Sequence, residues 1–204
     1  MRKTLFFLIP LFFSFFSSAQ NLEEELVNLQ DLSDDFVYEM RYATPNNFIG
    51  EQVYDCAKCL LRPEVAEALV KANEYFITIG YRIRIYDCYR PLDVQKIMWN
   101  KVPRAGYVGN PYGNGSVHNR GAAIDMTIET LEECHVEMGS EFDHLGPASH
   151  IDNFNFQSEI INNRKILFEG MKKFGFSPIR TEWWHFHYKK THSYAILNIP
   201  LPCE

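Results

Sequence analysis

The sequence predicts an α+β fold, a single domain in which helices flank a small, mainly antiparallel sheet. Segments with helical and strand-like periodicity interleave without the regular strand-helix repeat of a parallel α/β protein. Several of the strand-like segments are compatible with hairpins. No internal repeat occurs, and the length allows one well-filled core but is short for two ordinary domains.

The first nineteen residues have the layout of a secretory signal peptide. Two basic residues precede an apolar run over residues 5–16, and small residues follow it up to Ala19. Pro10 interrupts the run, which is shorter than the roughly 20 apolar residues that span a bilayer. We therefore expect cleavage after residues 1–19, a domain over residues 20–204, and an exported protein, periplasmic or secreted, without stable membrane insertion.

The charge of the chain limits its ligands. The formal net charge is −6 and becomes −8 once the two basic residues of the signal peptide are removed. This acidic balance argues against a general affinity for nucleic acid or anionic lipid. A small substrate or a protein partner is expected, and the oligomeric state is left open.

The first half of the domain contains one clear helix and one clear strand. Residues 21–62 alternate weakly between apolar and polar and contain turn residues, which indicates short strands and loops. A helix begins at Pro63, a favoured first helical position, and ends before Gly80. Apolar residues then alternate with arginines over residues 81–85, which predicts a half-buried strand that leads to Arg90 in a loop.

The second half supplies two more helices and two more strands. A helix is predicted over residues 92–101, and the glycine, proline and asparagine content of residues 103–115 indicates a long loop, of a length that is often functional. Residues 123–128 form a core strand. An amphipathic helix covers residues 157–174, and the aromatic, alternating residues 181–188 complete the sheet.

Five cysteines occur, so at least one is unpaired within a monomer. Cys56 and Cys59 have C-x-x-C spacing, but no second such pair follows, and no strand-helix context of a redox centre surrounds them. A local disulfide or two buried thiols is therefore the favoured interpretation, because an exported chain can be oxidised. The sequence does not give the connectivity.

A first group of candidate metal ligands lies over residues 116–125. His118 in a loop and Asp125 at the start of a strand are seven residues apart, and both residue types are good zinc ligands. Gly121 and Ala123 carry little side-chain bulk, which lets the backbone bring both ligands to one ion. A histidine in a polar loop near an aspartate is more often a hydrogen-bonded surface group, so this segment alone does not establish a metal role.

A second group lies over residues 182–187. A catalytic zinc ion has three protein ligands and a water, and a nearby carboxylate accepts the proton of that water. His185 and Glu182 would supply the missing ligand and the carboxylate. Residues three apart point to opposite faces of an ideal strand, so Glu182 must lie at a strand entry, bend or bulge. His187 shares a strand face with His185 and competes for the ligand position.

Two longer patterns and four shorter ones resemble one enzyme family. Residues 116–125 meet the pattern S-x-H-x-x-G-x-A-x-D, and residues 182–185 meet E-x-W-H. The shorter likenesses extend over most of the mature chain: N-F-I-G at 47–50, C-L-L at 59–61, D-x-Y-R-P at 87–91 and M-G-S-x-F-D at 138–143. Together they resemble the D-alanyl-D-alanine dipeptidases, which belong with the zinc DD-carboxypeptidases and the hedgehog-like fold.

The resemblance implies one zinc ion per chain, bound by His118, Asp125 and His185. It further implies that Glu182 is the catalytic base and that Arg90 stabilises the transition state. Zinc would activate a water molecule for attack on a peptide carbonyl, so no covalent enzyme intermediate is expected.

The resemblance also implies a dipeptide substrate. Ser116 would help to hold it, and Asp143 would pair with its free amino group, which disfavours longer peptides because they would bury an uncharged extension against a carboxylate. The expected reaction is hydrolysis of D-Ala-D-Ala to two D-alanines. Two alternatives stay open: a zinc DD-carboxypeptidase that cuts longer peptidoglycan stem peptides, and a non-catalytic zinc-binding module of the same fold.

Overall fold

The computed structural model describes residues 26–203. The predicted signal peptide therefore lies outside the described residues. Within this range no helix combines the length and the apolar character needed to cross a membrane. The regular elements are, in chain order, β1 (Val27–Asn28), β2 (Val37–Tyr38), β3 (Leu60–Leu61), α1 (Pro63–Thr78), β4 (Tyr81–Asp87), α2 (Leu92–Lys101), β5 (Ala123–Thr130), α3 (Ser158–Lys173), β6 (Phe176–Ile179) and β7 (Glu182–Tyr188).

Five strands form one sheet in the order β2-β4-β5-β7-β6. Strand β2 is parallel to β4, and the other three pairs are antiparallel. Strands β1 and β3 pair separately as a two-stranded antiparallel ribbon. The predicted α+β class with a small, mainly antiparallel sheet is confirmed.

The two faces of the central strand β5 have different chemistry. Ile124 is fully buried and pairs with Phe186 of β7, whose ring contacts Phe168 of α3 at a centroid distance of 5.9 Å. Because successive side chains of a strand point to opposite faces, Asp125 projects from the other side of the sheet. The helices therefore cover an apolar face, and polar residues are placed on the opposite one.

Helices α1 and α3 approach each other closely at one glycine. A Cβ atom at Gly170 of α3 would lie 2.3 Å from the Cζ atom of Phe76, which is fully buried on α1. No side chain fits into that space. A glycine inside a helix costs about 1 kcal/mol relative to alanine, and here the close packing of the two helices against the sheet offsets that cost.

The long predicted elements are confirmed, and short strands occur within residues 21–62 as expected, but one short strand was missed. Helix α1 begins at Pro63 as predicted, and Gly80 beyond its end has a φ of +89°. Strand β6 was not predicted, because it has only four residues and contains Pro178. Proline is tolerated there because β6 is an edge strand.

The structure corrects the interpretation of the cysteines. Cys56 pairs with Cys203, and Cys59 pairs with Cys88, while Cys134 is free and exposed. The expected local disulfide or pair of buried thiols within the C-x-x-C segment is therefore wrong. The two cysteines face different neighbours, one near the C-terminus and one at the end of β4, and only the packing of distant segments determines those contacts.

Candidate active site

Three side chains converge on the polar face of the sheet. Asp125 of β5 and His185 of β7 are cross-strand partners, so their side chains leave the sheet side by side. The Nδ1 atom of His185 is 3.0 Å from Oδ1 of Asp125 and 3.1 Å from Nε2 of His118, and that Nε2 is 3.2 Å from the same oxygen. All three residues are buried. Two imidazole nitrogens and one carboxylate oxygen thus form a nearly equilateral triangle.

His118 reaches this group from the short 3-10 helix Val117–Arg120 that precedes β5. Gly121 ends the helix with a φ of +67°, and a Cβ atom there would lie 2.5 Å from a methyl group of Leu26. The predicted need for a small residue between the two ligands is therefore met. Nδ1 of His118 donates to the carbonyl oxygen of Cys88 at 2.7 Å, which leaves the Nε2 lone pair directed at the group.

The triangle fits a zinc ion. Tetrahedral zinc with bonds of about 2.0–2.2 Å separates its ligand atoms by about 3.3–3.6 Å, a few tenths of an ångström more than observed here. Burial raises the pKa of Asp125, but the neighbouring His118 and His185 outweigh it and hold that pKa well below its usual range. Two imidazoles and an ionised carboxylate are the ligand types, and three is the ligand number, of catalytic zinc sites.

Glu182 lies beside the triangle. It is the first residue of β7, and the pairing of β6 with β7 shifts register between Pro178 and Ile179. The strand entry and the irregularity that its predicted role requires are therefore both present. Its Oε2 atom is 4.0 Å from Nδ1 of His185. Burial raises the pKa of Glu182 well above its usual range, the carboxylates of Asp125 and Asp143 add to this rise, and Arg90 opposes it.

Arg90 lies beside Asp125 and is held by several buried contacts. Its Nη2 and Nε atoms donate to Oδ2 of Asp87 at 2.6 and 3.2 Å, and its Nη1 donates to Oε1 of Gln95 at 2.8 Å. The guanidinium lies over the ring of Tyr42 at 5.0 Å. Nη2 is also 4.0 Å from Oδ2 of Asp125. These contacts fix the orientation of a buried cation next to the proposed metal ligands.

Asp143 lies on an irregular segment that lines the same cavity as Arg90 and the triangle. It has a φ of +63°, which is unusual for a residue other than glycine and is often associated with functional sites. Its carboxylate accepts hydrogen bonds from the hydroxyl of Tyr42 at 3.0 Å and from the backbone N–H of Phe48 at 3.1 Å. Burial, reinforced by Asp125, raises the pKa of Asp143 to about 7. The segments around residues 47–50 and 138–143 thus meet at this carboxylate.

These groups line one cavity of about 220 Å³. Pockets for drug-sized ligands are about 300–1,000 Å³, so this one suits a smaller molecule. The loop 103–115 forms part of its wall, where the hydroxyl of Tyr107 is 2.7 Å from Nε2 of His150 and the hydroxyl of Thr181 donates to the carbonyl of Gly106 at 2.9 Å. All seven predicted site residues line the cavity: Arg90, Ser116, His118, Asp125, Asp143, Glu182 and His185.

His187, the competing candidate ligand, lies outside the triangle. Its ring centroid is 6.1 Å from that of His185, and the group of converging ligand atoms among residues 26–203 comprises only His118, Asp125 and His185. Sequence reasoning missed Tyr42 altogether, because its contact with Asp143 joins residues 101 positions apart.

Asp87 and Gln95 were also missed, although the first left a signal in the sequence. Asp87 stands three residues before Arg90 in the D-x-Y-R-P segment, at the end of a strand. An acidic residue so close to a candidate catalytic arginine could have been recognised as its partner. Gln95 had no comparable signal, since it lies within α2 and nothing in the sequence distinguishes it from other polar residues of a helix.

The α+β fold with a buried His-Asp-His group, a neighbouring glutamate and a small cavity defines a metallopeptidase. Residues 22–198 match the family model described as D-ala-D-ala dipeptidase. The D-alanyl-D-alanine dipeptidase of Escherichia coli (strain K12) is 34% identical over 179 residues, which cover 88% of this chain and 92% of that protein. The chain belongs to the D-Ala-D-Ala dipeptidase family.

A second relative and a solved structure complete the comparison. The D-alanyl-D-alanine dipeptidase of Enterococcus faecium is 31% identical over 169 residues, or 73% of this chain and 84% of that protein. Among solved structures, a mutant of the vancomycin resistance D,D-pentapeptidase VanY in complex with Zn(II) aligns with 66% of this chain and 75% of that chain, at 16% identity and a TM-score of 0.42. That structural likeness is partial.

Proposed function

We propose that this chain is a zinc-dependent dipeptidase that hydrolyses D-Ala-D-Ala to two D-alanines. The observation that carries the proposal is the buried carboxylate of Glu182, 4.0 Å from a ligand atom of a group that fits zinc. A binding module would need the ligands but not this carboxylate. The names of the two bacterial relatives support the choice of substrate.

The residues divide the chemistry between them. Zinc held by His118, Asp125 and His185 would polarise the scissile carbonyl and lower the pKa of a water molecule to near 7. Glu182 would accept the proton of the attacking water in its ionised form, which the positive charge of a bound zinc ion would favour against the effect of burial, and would then pass that proton to the leaving nitrogen. Arg90, already oriented by its buried contacts, donates to the developing oxyanion, where one such donor is typically worth ~3 kcal/mol.

The remaining polar groups select a dipeptide. Asp143 pairs with the substrate ammonium, which would favour the ionised form of its carboxyl group. The Oγ atom of Ser116 accepts from the N–H of His118 at 3.3 Å, so its own hydrogen is free to donate to the substrate. A longer peptide would have to place an uncharged segment against Asp143 in a cavity of about 220 Å³.

We further propose that the enzyme acts outside the cytoplasm. The charge and hydropathy pattern of residues 1–19 supports export, and two disulfides among the described residues are typical of an oxidising compartment. Export favours salvage of dipeptide released from peptidoglycan over depletion of a cytoplasmic pool. Fractionation of cells that produce the full chain should place the mature protein in the periplasm or medium, and a cytoplasmic protein would contradict the salvage role.

The decisive experiment measures the hydrolysis of three peptides by the zinc-loaded mature protein and of one of them by a variant. D-Ala-D-Ala is set beside L-Ala-L-Ala and a tripeptide ending in D-Ala-D-Ala, and the Glu182→Gln variant is tested on D-Ala-D-Ala. Cleavage of D-Ala-D-Ala alone, with kcat reduced at least about 10³-fold in the variant at equal zinc content, is expected. Cleavage of the tripeptide would favour a DD-carboxypeptidase, and bound zinc without any hydrolysis would favour a binding module.

A further inference from the structure

The peptide groups on either side of Cys88 contact two different parts of the candidate active site. The carbonyl oxygen of Cys88 accepts the hydrogen bond from Nδ1 of His118 at 2.7 Å. Its backbone N–H donates to Oδ1 of Asp87 at 2.9 Å, and Oδ2 of Asp87 holds Arg90. The position of this one residue therefore affects both a proposed zinc ligand and the anchor of the proposed transition-state arginine.

The side chain of Cys88 is bonded to a separate layer of the fold. Its disulfide partner, Cys59, comes directly before β3, and both cysteines are fully buried. Cys59 is itself held by its carbonyl, which accepts from the N–H of Leu29 at 2.8 Å, and the carbonyl of the next residue, Leu60, accepts from the N–H of Tyr89 at 3.0 Å. The disulfide thus ties the segment after β4 to the ribbon of β1 and β3.

We propose that the Cys59–Cys88 disulfide is a positioning element of the metal site. It holds the Cys88 carbonyl where that oxygen selects the His118 tautomer with its Nε2 lone pair directed at the metal. Hydrogen-bond partners of metal-bound histidines typically contribute 10- to 100-fold to metal affinity or activity. The proposal rests on the zinc site described under the proposed function.

The second disulfide gives a matched control. Cys56 and Cys203 are separated by 147 residues, whereas Cys59 and Cys88 are separated by 29. In the chain-entropy model the longer closed loop stabilises the fold more. If disulfides acted on the metal site only through stability, loss of the Cys56–Cys203 bond would weaken zinc binding at least as much.

The experiment compares the wild type with Cys59→Ala/Cys88→Ala and with Cys56→Ala/Cys203→Ala. Zinc affinity is measured by chelator competition, the ligand geometry by the visible spectrum of the cobalt-substituted proteins, and stability by thermal unfolding of the metal-free proteins. A Cys59→Val/Cys88→Ala variant, which fills the buried space better, is made in parallel.

We expect zinc affinity to fall 10- to 100-fold, and the cobalt spectrum to change, only when Cys59 and Cys88 are replaced. The Cys56→Ala/Cys203→Ala variant should lose at least as much thermal stability but keep its zinc affinity. Equal zinc affinities and spectra in the two sets of variants would overturn the proposal. So would failure of both Cys59/Cys88 variants to fold in zinc while the control folds, because the bond would then serve folding alone. A wild type that binds no zinc would instead overturn the proposed function.

Discussion

The two halves of the candidate active site are built differently. In the metal half, two of the three proposed ligands lie on adjacent strands, where Asp125 of β5 pairs directly with His185 of β7, and His118 lies on the short 3-10 helix before β5. The substrate half lies on irregular segments, where Asp143 has a left-handed backbone and depends on Tyr42 and Phe48 from a distant part of the chain. Strand pairing sets distances between neighbouring side chains within narrow limits, which a group of metal ligands needs.

The substrate half is held by another buried arginine. Arg164 of α3 donates to the carbonyls of Met138, Ala148 and His150 at 2.7, 2.8 and 3.0 Å, and these lie on both sides of Asp143. Burial lowers the pKa of Arg164 to about 10. The comparison shows that the register of the sheet positions two of the three proposed metal ligands, whereas the substrate half requires a side chain from a helix to fix its loop.

The largest effect is expected from the loss of a proposed zinc ligand in the metal half. His118→Ala should lower zinc affinity roughly 10³-fold and abolish dipeptide hydrolysis, because one of three ligands is lost. His187→Ala should retain zinc, since that side chain lies outside the triangle. Chelator competition with both variants checks this, and loss of zinc from the His187 variant would contradict the assignment of the ligands.

A smaller effect is expected from Arg90→Lys, which keeps the positive charge but loses the planar fork that contacts Asp87 and Gln95. We expect kcat to fall about 10²- to 10³-fold at unchanged zinc content. Steady-state kinetics and metal analysis check this. Arg82→Lys, in an ion pair with Glu129 away from the cavity, serves as the control and should leave kcat nearly unchanged.

A substitution that loosens the substrate half should raise KM. Arg164→Met leaves three carbonyls without their donor, so the loop around Asp143 should loosen and KM for D-Ala-D-Ala should rise about 10-fold, with a loss of unfolding free energy of about 1–3 kcal/mol. Zinc affinity should not change. Arg180→Met, which removes an exposed ion pair with Asp152, is the control. A parallel loss of zinc affinity in the Arg164 variant would show that the two halves are not independent.

A last effect, on stability alone, concerns the charge of Asp143 in metal-free protein. Its pKa is about 7 in the folded chain and ordinarily 3.8, so the folded state binds the proton more tightly. This contribution to stability is complete below about pH 4 and is lost as the pH rises through about 7. Relative to Asp143→Asn, the wild type should therefore lose on the order of 4 kcal/mol of unfolding free energy between about pH 4 and 8. Denaturant titrations check this, and parallel pH profiles would contradict it.

The long elements and the set of candidate site residues were predictable from local features of the sequence. Helix α1 was predictable because Pro63, Gly80 and the helical spacing between them are local signals. The residues around His118 and Glu182 were recognisable because the chemistry of a metal site requires particular residue types at short spacings. The structure brings these candidates to a single cavity.

The contacts between distant segments became apparent only in the folded chain. It placed His185 rather than His187 in the triangle, paired Cys59 with Cys88 and brought Tyr42 to Asp143. Short-range periodicity indicates which face of a strand or helix is buried. It gives no information on the register between strands or on contacts between residues about 30 to 100 positions apart. Those depend on the packing of the whole core, which is why the connections within the site were found only in the fold.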